Sequence, residues 1–261
     1  MADQGKRLEG KVAIVTGAGS RGPGIGNGKA TAVLFARQGA RVLIQDLYPE
    51  RAQETLDLIR SEGGQASSLA GDVTRIEDCQ AIVSAAVQRY GKLDILHNNV
   101  GIDSNGTVVS MSLEEYDRVM DVNVKSIVLM SRVAIPQMIA GGGGAITNIA
   151  SVAALRPRGM DAYSTSKGAV IALTRAMAQS HAADRIRVNC IVPGMVFTPM
   201  VADGMADQTR QGRRMSTPLQ TEGTAWDIGW AAVYLASDEA RWVTGVALPV
   251  DGGALVTRRS W

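Results

Sequence analysis

Tyr163 and Lys167 stand at i and i+4 in the run Tyr163-Ser164-Thr165-Ser166-Lys167, a spacing that sets a phenol and an ammonium on one face of a helix. A free phenol titrates near pH ~10, too high for an efficient base at neutral pH; lowering it to about 7 takes about 4 kcal/mol of preference for the phenolate, and a neighbouring cation supplies preference of that sign. An ordinary surface pair has the same spacing, so the two residues need company. Ser151 supplies it. It follows the apolar run Ile146–Ile149, which places its hydroxyl at the carboxyl end of a strand, where ligands bind in open α/β sheets. From there it can donate to a carbonyl oxygen while Tyr163 exchanges the proton, although serine is also a common turn residue. Asn123, in Asp121-Val122-Asn123-Val124, interrupts a helical pattern with a poor helix former, so its amide either serves something inside or is a tolerated polar residue.

A second group of residues surrounds the glycine-rich stretch Thr16-Gly17-Ala18-Gly19-Ser20-Arg21-Gly22-Pro23-Gly24-Ile25-Gly26-Asn27-Gly28. It lies between a β-branched strand and a helix, where backbone N–H groups can approach a dinucleotide pyrophosphate and the helix N-terminus adds partial positive charge. Gly17, Ser20, Arg21, Gly24, Ile25 and Gly26 are its candidate contacts. The register is open: Gly17, Gly19 and Gly22 spell GxGxxG, but Gly24-Ile25-Gly26 or Gly26-Asn27-Gly28 could equally open the helix. Asp46, after Arg41–Gln45, ends the second strand. A carboxylate there accepts hydrogen bonds from the adenosine ribose hydroxyls and repels a 2′-phosphate, favouring NAD over NADP, while Arg21 argues the other way.

These residues sit on an alternating pattern. Strand-like runs are expected at Val12–Thr16, Arg41–Gln45, Ala66–Ala70, Asp94–Asn98, Ala145–Ile149, Arg187–Ile191 and Val246–Val250. Helices are expected around Ala30–Ala36 and over Glu50–Ser61, Ile76–Tyr90, Leu113–Ile139, Ala162–Ala182 and Ala225–Ala236. Regular strand–helix alternation implies right-handed βαβ units and an α/β, Rossmann-type doubly wound parallel sheet with helices on both faces. One domain over residues 1–261 is expected, with Met195–Glu222 as a functional loop acting as a substrate lid. The net charge of +2 and scattered arginines speak against a nucleic-acid surface. No apolar run reaches membrane-spanning length. Two distant cysteines, Cys79 and Cys190, offer neither a disulfide framework nor a metal site, and suit a reducing cytoplasm.

Taken in order, the Thr16-Gly17 turn, Asp72-Val73-Thr74, Asn98-Asn99-Val100-Gly101, Asn123, Ser151, Tyr163/Lys167, Pro193-Gly194 and Val250-Asp251-Gly252-Gly253 resemble the landmarks of the short-chain dehydrogenase/reductase family in its single-domain form. The resemblance implies Tyr163 as general acid/base and Lys167 as the residue that lowers its pKa and binds the nicotinamide ribose. It implies that Ser151 polarises the substrate carbonyl and that Asn123 holds a water linking Lys167 to solvent. Asp72 and Val73 would border the adenine, Asn99 the adenosine ribose, and Val196 and Thr198 the carboxamide. The family's tetramers imply a homotetramer packed through the helices at Leu113–Ile139 and Ala162–Ala182. Three departures stand out: a glycine turn several residues longer than usual, Val100 in place of alanine, and His97 at an aliphatic strand position, read as a satisfied core or edge histidine.

The leading expectation is an oxidoreductase moving a hydride between NAD(H) and a secondary alcohol or ketone. A non-catalytic NAD(P)-binding regulator is the alternative, opposed by the intact set of Asn123, Ser151, Tyr163 and Lys167. A sugar-nucleotide epimerase or dehydratase would need a larger region after Pro193. Met195, Val196, Phe197, Met200, Val201, Met205 and Met215, with Leu155 and Met160, suggest an apolar, ring-sized substrate. Arg156, Arg158, Arg210, Arg213 and Arg214 are read as a solvated basic face, or else as captors of a substrate carboxylate.

Overall fold

The computed structural model describes residues 6–157, 159–202 and 205–257. Its centre is a seven-stranded parallel sheet of order β3-β2-β1-β4-β5-β6-β9. The strands are β1 (Val12–Thr16), β2 (Arg41–Asp46), β3 (Ala66–Ala70), β4 (Ile95–Asn98), β5 (Gly144–Ile149), β6 (Ile186–Pro193) and β9 (Ala247–Val250). The helices are α1 (Asn27–Arg37), α2 (Pro49–Ser61), α3 (Ile76–Tyr90), α4 (Leu113–Met120), α5 (Ser126–Ala140), α6 (Asp161–His181) and α9 (Ala225–Ala236). Every residue of β1 and β4 is buried, because helices cover both faces of the sheet.

Alternate residues feed two cores. Ala13, Val15, Val42, Ile44 and Ile95 meet α1, α2 and α9, with Phe35, Ile59 and Ile228 among the partners. Ile14, Leu43, Leu96, Ile146 and Val188 point to the other face, toward Cys79 and Ile82 of α3 and Met130 and Met138 of α5. Gly229 allows α9 to lie close on α1, since a Cβ there would come within 2.7 Å of Leu34 Cδ1.

Two expectations are corrected. The helix expected over Leu113–Ile139 is broken by a π-helical turn, Asp121–Lys125, centred on Asn123. The segment expected as a lid loop is largely structured: β7 (Val196–Phe197) pairs in parallel with β8 (Gly223–Thr224), and α7 (Pro199–Ala202) and α8 (Asp207–Met215) lie between them. The order reverses between β1 and β4, so a crevice opens beyond their carboxyl ends, the position where open α/β sheets bind ligands.

Candidate active site

At the end of β1, Gly17 takes a left-handed φ of +58° and the chain loops out before α1 begins. Gly26 is the N-cap, and its N–H donates to Ser20 Oγ at 3.0 Å. Gly28 is the residue that seats the helix, because a Cβ there would fall 2.2 Å from Gly17 O. Of the three registers open in the sequence, Gly26-Asn27-Gly28 therefore opens the helix, and the literal GxGxxG at Gly17, Gly19 and Gly22 does not. Gly28 was not among the candidate residues; its signal was a glycine one step inside a helix start. No acidic residue occupies the first turn of α1, which leaves its positive end uncompensated.

Asp46 is almost wholly buried beside this turn. Its Oδ2 accepts from Gly19 N at 3.0 Å and its Oδ1 from Tyr48 N at 3.1 Å. Gly19 has no room for a side chain, since a Cβ would lie 2.8 Å from that carboxylate. Asn99 pins the two sheet ends together: its Nδ2 donates to Thr16 O (3.2 Å) and Gly17 O (2.9 Å), and its N–H donates to Thr16 Oγ1 (3.1 Å). Those amide donors thus hold the glycine turn. Asp72 Oδ1 accepts from Thr74 N and Oγ1, and Val73 is buried behind it. Arg21 reaches across the crevice, where its Nη2 donates to Gly101 O at 3.3 Å.

β5 and α6 bring the reactive side chains in. Ser151 leaves β5 in an extended conformation, and its Oγ accepts from Ala153 N at 3.2 Å. Lys167, buried, donates from Nζ to Ile149 O at 2.9 Å, with Nζ 5.7 Å from the centre of the Tyr163 ring. Burial lowers the Lys167 pKa to about 8. The Tyr163 phenol moves upward: burial is the main cause, a hydrogen bond with Ser151 pulls it down, and the Asp103 carboxylate pushes it further up. The expected lowering by Lys167 is not among these influences, and desolvation dominates. Asn123 is fully buried; its Oδ1 accepts from Ile102 N at 2.8 Å, and its Nδ2 donates to Ile102 O and Ser166 Oγ, each at 2.9 Å. Ser166 Oγ in turn donates to Tyr163 O at 2.7 Å. The amide thus ties the loop after β4 to α6. Between Asn123 and Lys167 lies Gly101, where a Cβ would come within 3.1 Å of Lys167 Nζ and 3.3 Å of Asn123 Oδ1.

The segment expected as a lid approaches the glycine turn, where a Cβ on Gly24 would lie 3.4 Å from Pro199 Cγ. Val196 is buried in the short ribbon, and Thr198 O accepts from Val201 N and Ala202 N to begin α7. Arg210 forks onto Glu222 and stacks 3.9 Å over the Phe197 ring, while Arg213 donates to Val196 O at 3.3 Å. Arg156 donates to Ala254 O at 2.6 Å. These three arginines each hold a partner within the chain, although Arg210 stays about two-fifths exposed and Arg214 is exposed. Arg158 lies outside the described residues.

A family model described as enoyl-(acyl carrier protein) reductase matches residues 22–254. An uncharacterized oxidoreductase of Thermotoga maritima is 39% identical over 95% of this chain and 98% of its own. The crystal structure of a short-chain dehydrogenase/reductase from Burkholderia xenovorans superposes with a TM-score of 0.92 at 40% identity, covering 97% of this chain and 99% of that one. The chain belongs to the short-chain dehydrogenase/reductase family. Also similar is the 7α-hydroxysteroid dehydrogenase of Escherichia coli, 36% identical over 95% of this chain and 96% of its own. A 7α-hydroxysteroid dehydrogenase structure holding NADH and a 7-oxo bile acid gives a TM-score of 0.89 at 36% identity, covering 95% of each chain.

Within this short-chain dehydrogenase/reductase, His97 corrects its reading. It is fully buried in β4 as expected, but neither ring nitrogen has a partner. Burial holds its pKa down to about 3. Phe35 meets it edge-on at 6.0 Å between ring centres. Asp103 and Ser104 were missed altogether, although Ser104 Oγ accepts from Tyr163 N at 3.0 Å. Their only signal was a place just after Asn99-Val100-Gly101. Among the described residues there is no His, Cys, Asp or Glu cluster that could hold a metal, and no helix long and apolar enough to cross a membrane.

Proposed function

We propose that this oxidoreductase interconverts a secondary alcohol and its ketone with NAD(H), on apolar, ring-sized substrates. The observation that carries the reading is the gathering of Ser151, Tyr163 and Lys167 beyond the same strand ends that hold the α1 N-terminus and Asp46. The residues fit a nicotinamide dinucleotide. The uncompensated end of α1 and the close glycine approach suit a pyrophosphate, and the fixed Asp46 carboxylate suits a ribose diol and opposes a 2′-phosphate. When bound, the nicotinamide supplies a hydride acceptor or donor. Tyr163 removes the alcohol proton in oxidation or returns it in reduction. Ser151 donates to the carbonyl oxygen and thereby favours the charge that develops there. Lys167 adds fixed positive charge below the phenol, and Gly101, with no side chain, leaves the approach to it clear.

For the substrate, Leu155, Met200 and Met215 present exposed apolar surface on the segments flanking the site. The 2,5-dichloro-2,5-cyclohexadiene-1,4-diol dehydrogenase of Sphingobium indicum, 38% identical over 95% of this chain, and the hydroxysteroid enzyme are named for ring carbinols. The engaged arginines weigh against a substrate carboxylate. We further infer a homotetramer, with Val128 and Ile139 of α5 as exposed apolar residues to be covered; light scattering returning the mass of one 27.5 kDa chain would defeat it. A reducing, cytoplasmic setting suits the buried free thiols of Cys79 and Cys190.

The test follows reduced-cofactor absorbance with cyclohexanol-type alcohols, their carboxylated analogues and glucose, each with NAD and NADP. Turnover of the cyclic alcohols with NAD is expected, and Asp46→Ala should raise the NADP/NAD ratio of kcat/KM. Efficient glucose oxidation without activity on either cyclic compound rejects the apolar pocket. Equal wild-type use of both cofactors rejects the assignment to Asp46.

A further inference from the structure

The loop that leaves β4 is stapled to the start of α6, next to Tyr163. Ile102 N and O are both held by the Asn123 amide, at 2.8 and 2.9 Å. Ser104 is buried, and its Oγ accepts from Tyr163 N at 3.0 Å. Farther on, Gly106 O accepts from Asp161 N at 3.2 Å, and Asp161 Oδ2 accepts from Val108 N at 2.8 Å. Asp103 stands between Ile102 and Ser104, so its backbone is anchored on either side. Its side chain is exposed, unlike that of Ser104. Among the described residues, the Asp103 carboxylate accepts no hydrogen bond and joins no ion pair. The cations of the site are engaged elsewhere, Lys167 on Ile149 O and Arg21 on Gly101 O. The charge of Asp103 nevertheless reaches the Tyr163 phenol, which it pushes to a higher pKa. A fixed, unpartnered carboxylate within electrostatic reach works against the phenolate, so proton exchange by Tyr163 leaves it unexplained.

We propose that Asp103 is a specificity-determining residue that accepts a hydrogen bond from a second hydroxyl of the substrate, so that the site selects cyclic diols over simple cyclic alcohols. The proposal rests on the ring-carbinol reading given above and deepens it. One hydroxyl meets Ser151 and Tyr163, and the other, elsewhere on the ring, donates to the anchored carboxylate. A hydroxyl gains a charge-assisted hydrogen bond there, whereas a substrate carboxylate would meet like charge. The anchoring matters, because an acceptor held by its neighbours on both sides loses little freedom when the donor arrives.

The experiment compares kcat/KM for cyclohexanol, the isomeric cyclohexanediols and an aminocyclohexanol, with NAD and NADP, in wild type, Asp103→Asn and Asp103→Ala. Values are taken on each variant's alkaline plateau, because Asp103 also moves the Tyr163 titration, and equal melting temperatures check folding. Wild type should favour at least one diol over cyclohexanol by about tenfold or more, the scale of a hydrogen bond to a charged group. Asp103→Ala should erase most of that preference by striking the diol harder than the simple alcohol. Asp103→Asn keeps an amide oxygen as acceptor without the charge and should retain part of it. A diol-to-alcohol ratio that Asp103→Ala leaves within threefold of wild type overturns the proposal. A preference for the amino alcohol over every diol, lost in Asp103→Ala, also overturns it, by assigning the carboxylate to a cation. Wild type that oxidises neither cyclohexanol nor any diol with either cofactor removes the ring-carbinol reading itself, an outcome distinct from turnover indifferent to the second hydroxyl.

Discussion

In the proposed mechanism Tyr163 exchanges the proton, and its surroundings set a definite pH dependence. Its pKa is raised, chiefly by burial, so the phenol is protonated at neutral pH in the arrangement described. Alcohol oxidation uses the deprotonated group as base, so kcat/KM in that direction should climb as pH rises through the alkaline range; ketone reduction should fall over the same range. Asp103→Asn removes one of the upward influences and should move the alkaline limb to lower pH, which a purely structural role for Asp103 would not do. Tyr163→Phe should cut kcat/KM by about a hundredfold or more while NADH still binds, because only the exchanging proton is lost. Retention of a tenth of wild-type kcat/KM would remove Tyr163 from the mechanism. The i,i+4 pairing of phenol and ammonium was legible in the sequence, with Ser151 as the company that sets it apart from a surface pair. The dominance of desolvation was not, since burial of both groups depends on how α6 lies against β5.

At the scale of elements, the decisive join is between the β1 turn and α1. Gly28 touches Gly17 O so closely that an added methyl must push helix and turn apart, whereas a Cβ on Gly22 would meet nothing within 4 Å. Gly28→Ala should therefore lose at least about 2 kcal/mol of stability, in the range for overpacking, and weaken NADH binding, while Gly22→Ala stays near wild type. Urea unfolding and NADH titration of the two variants read this out; the opposite ranking would restore the literal GxGxxG register. The glycine content announced a turn for a dinucleotide, but several glycines in a row carry no information on which one meets a carbonyl. The π-turn at Asn123 shows the same limit. Asparagine signalled a break in the helix, and only the tertiary contacts with Ile102 and Ser166 show what its amide ties together.

Across the whole molecule, the unusual feature is His97, a titratable ring in the central strand with both nitrogens unpartnered. Its folded pKa of about 3 lies below the unfolded value near 6.5, so the unfolded chain binds the extra proton between those limits. Stability should then fall as pH drops from about 6.5 toward 3, by up to about 1.4 kcal/mol per pH unit from this group. His97→Leu should remove that slope and gain about 1 kcal/mol or more at pH 7, because it removes two buried ring nitrogens that have no partner. Denaturant midpoints at pH 5 and 7 measure both effects. A destabilised His97→Leu at pH 7 would mean that the ring nitrogens hold partners such as ordered water.

The sequence by itself determined the doubly wound sheet and its strand–helix alternation, and it singled out Ser151, Tyr163 and Lys167 as the set proposed for catalysis. Those rest on periodicity and short spacings, which are local. The tertiary structure alone decided which glycine seats α1, where Arg21 points, that Arg156, Arg210 and Arg213 are already engaged, and that His97 is buried without a partner. Each of these depends on what a side chain meets across the fold. A backbone carbonyl, a carboxylate from a distant strand or an apolar wall leaves no trace in the residues adjacent along the chain.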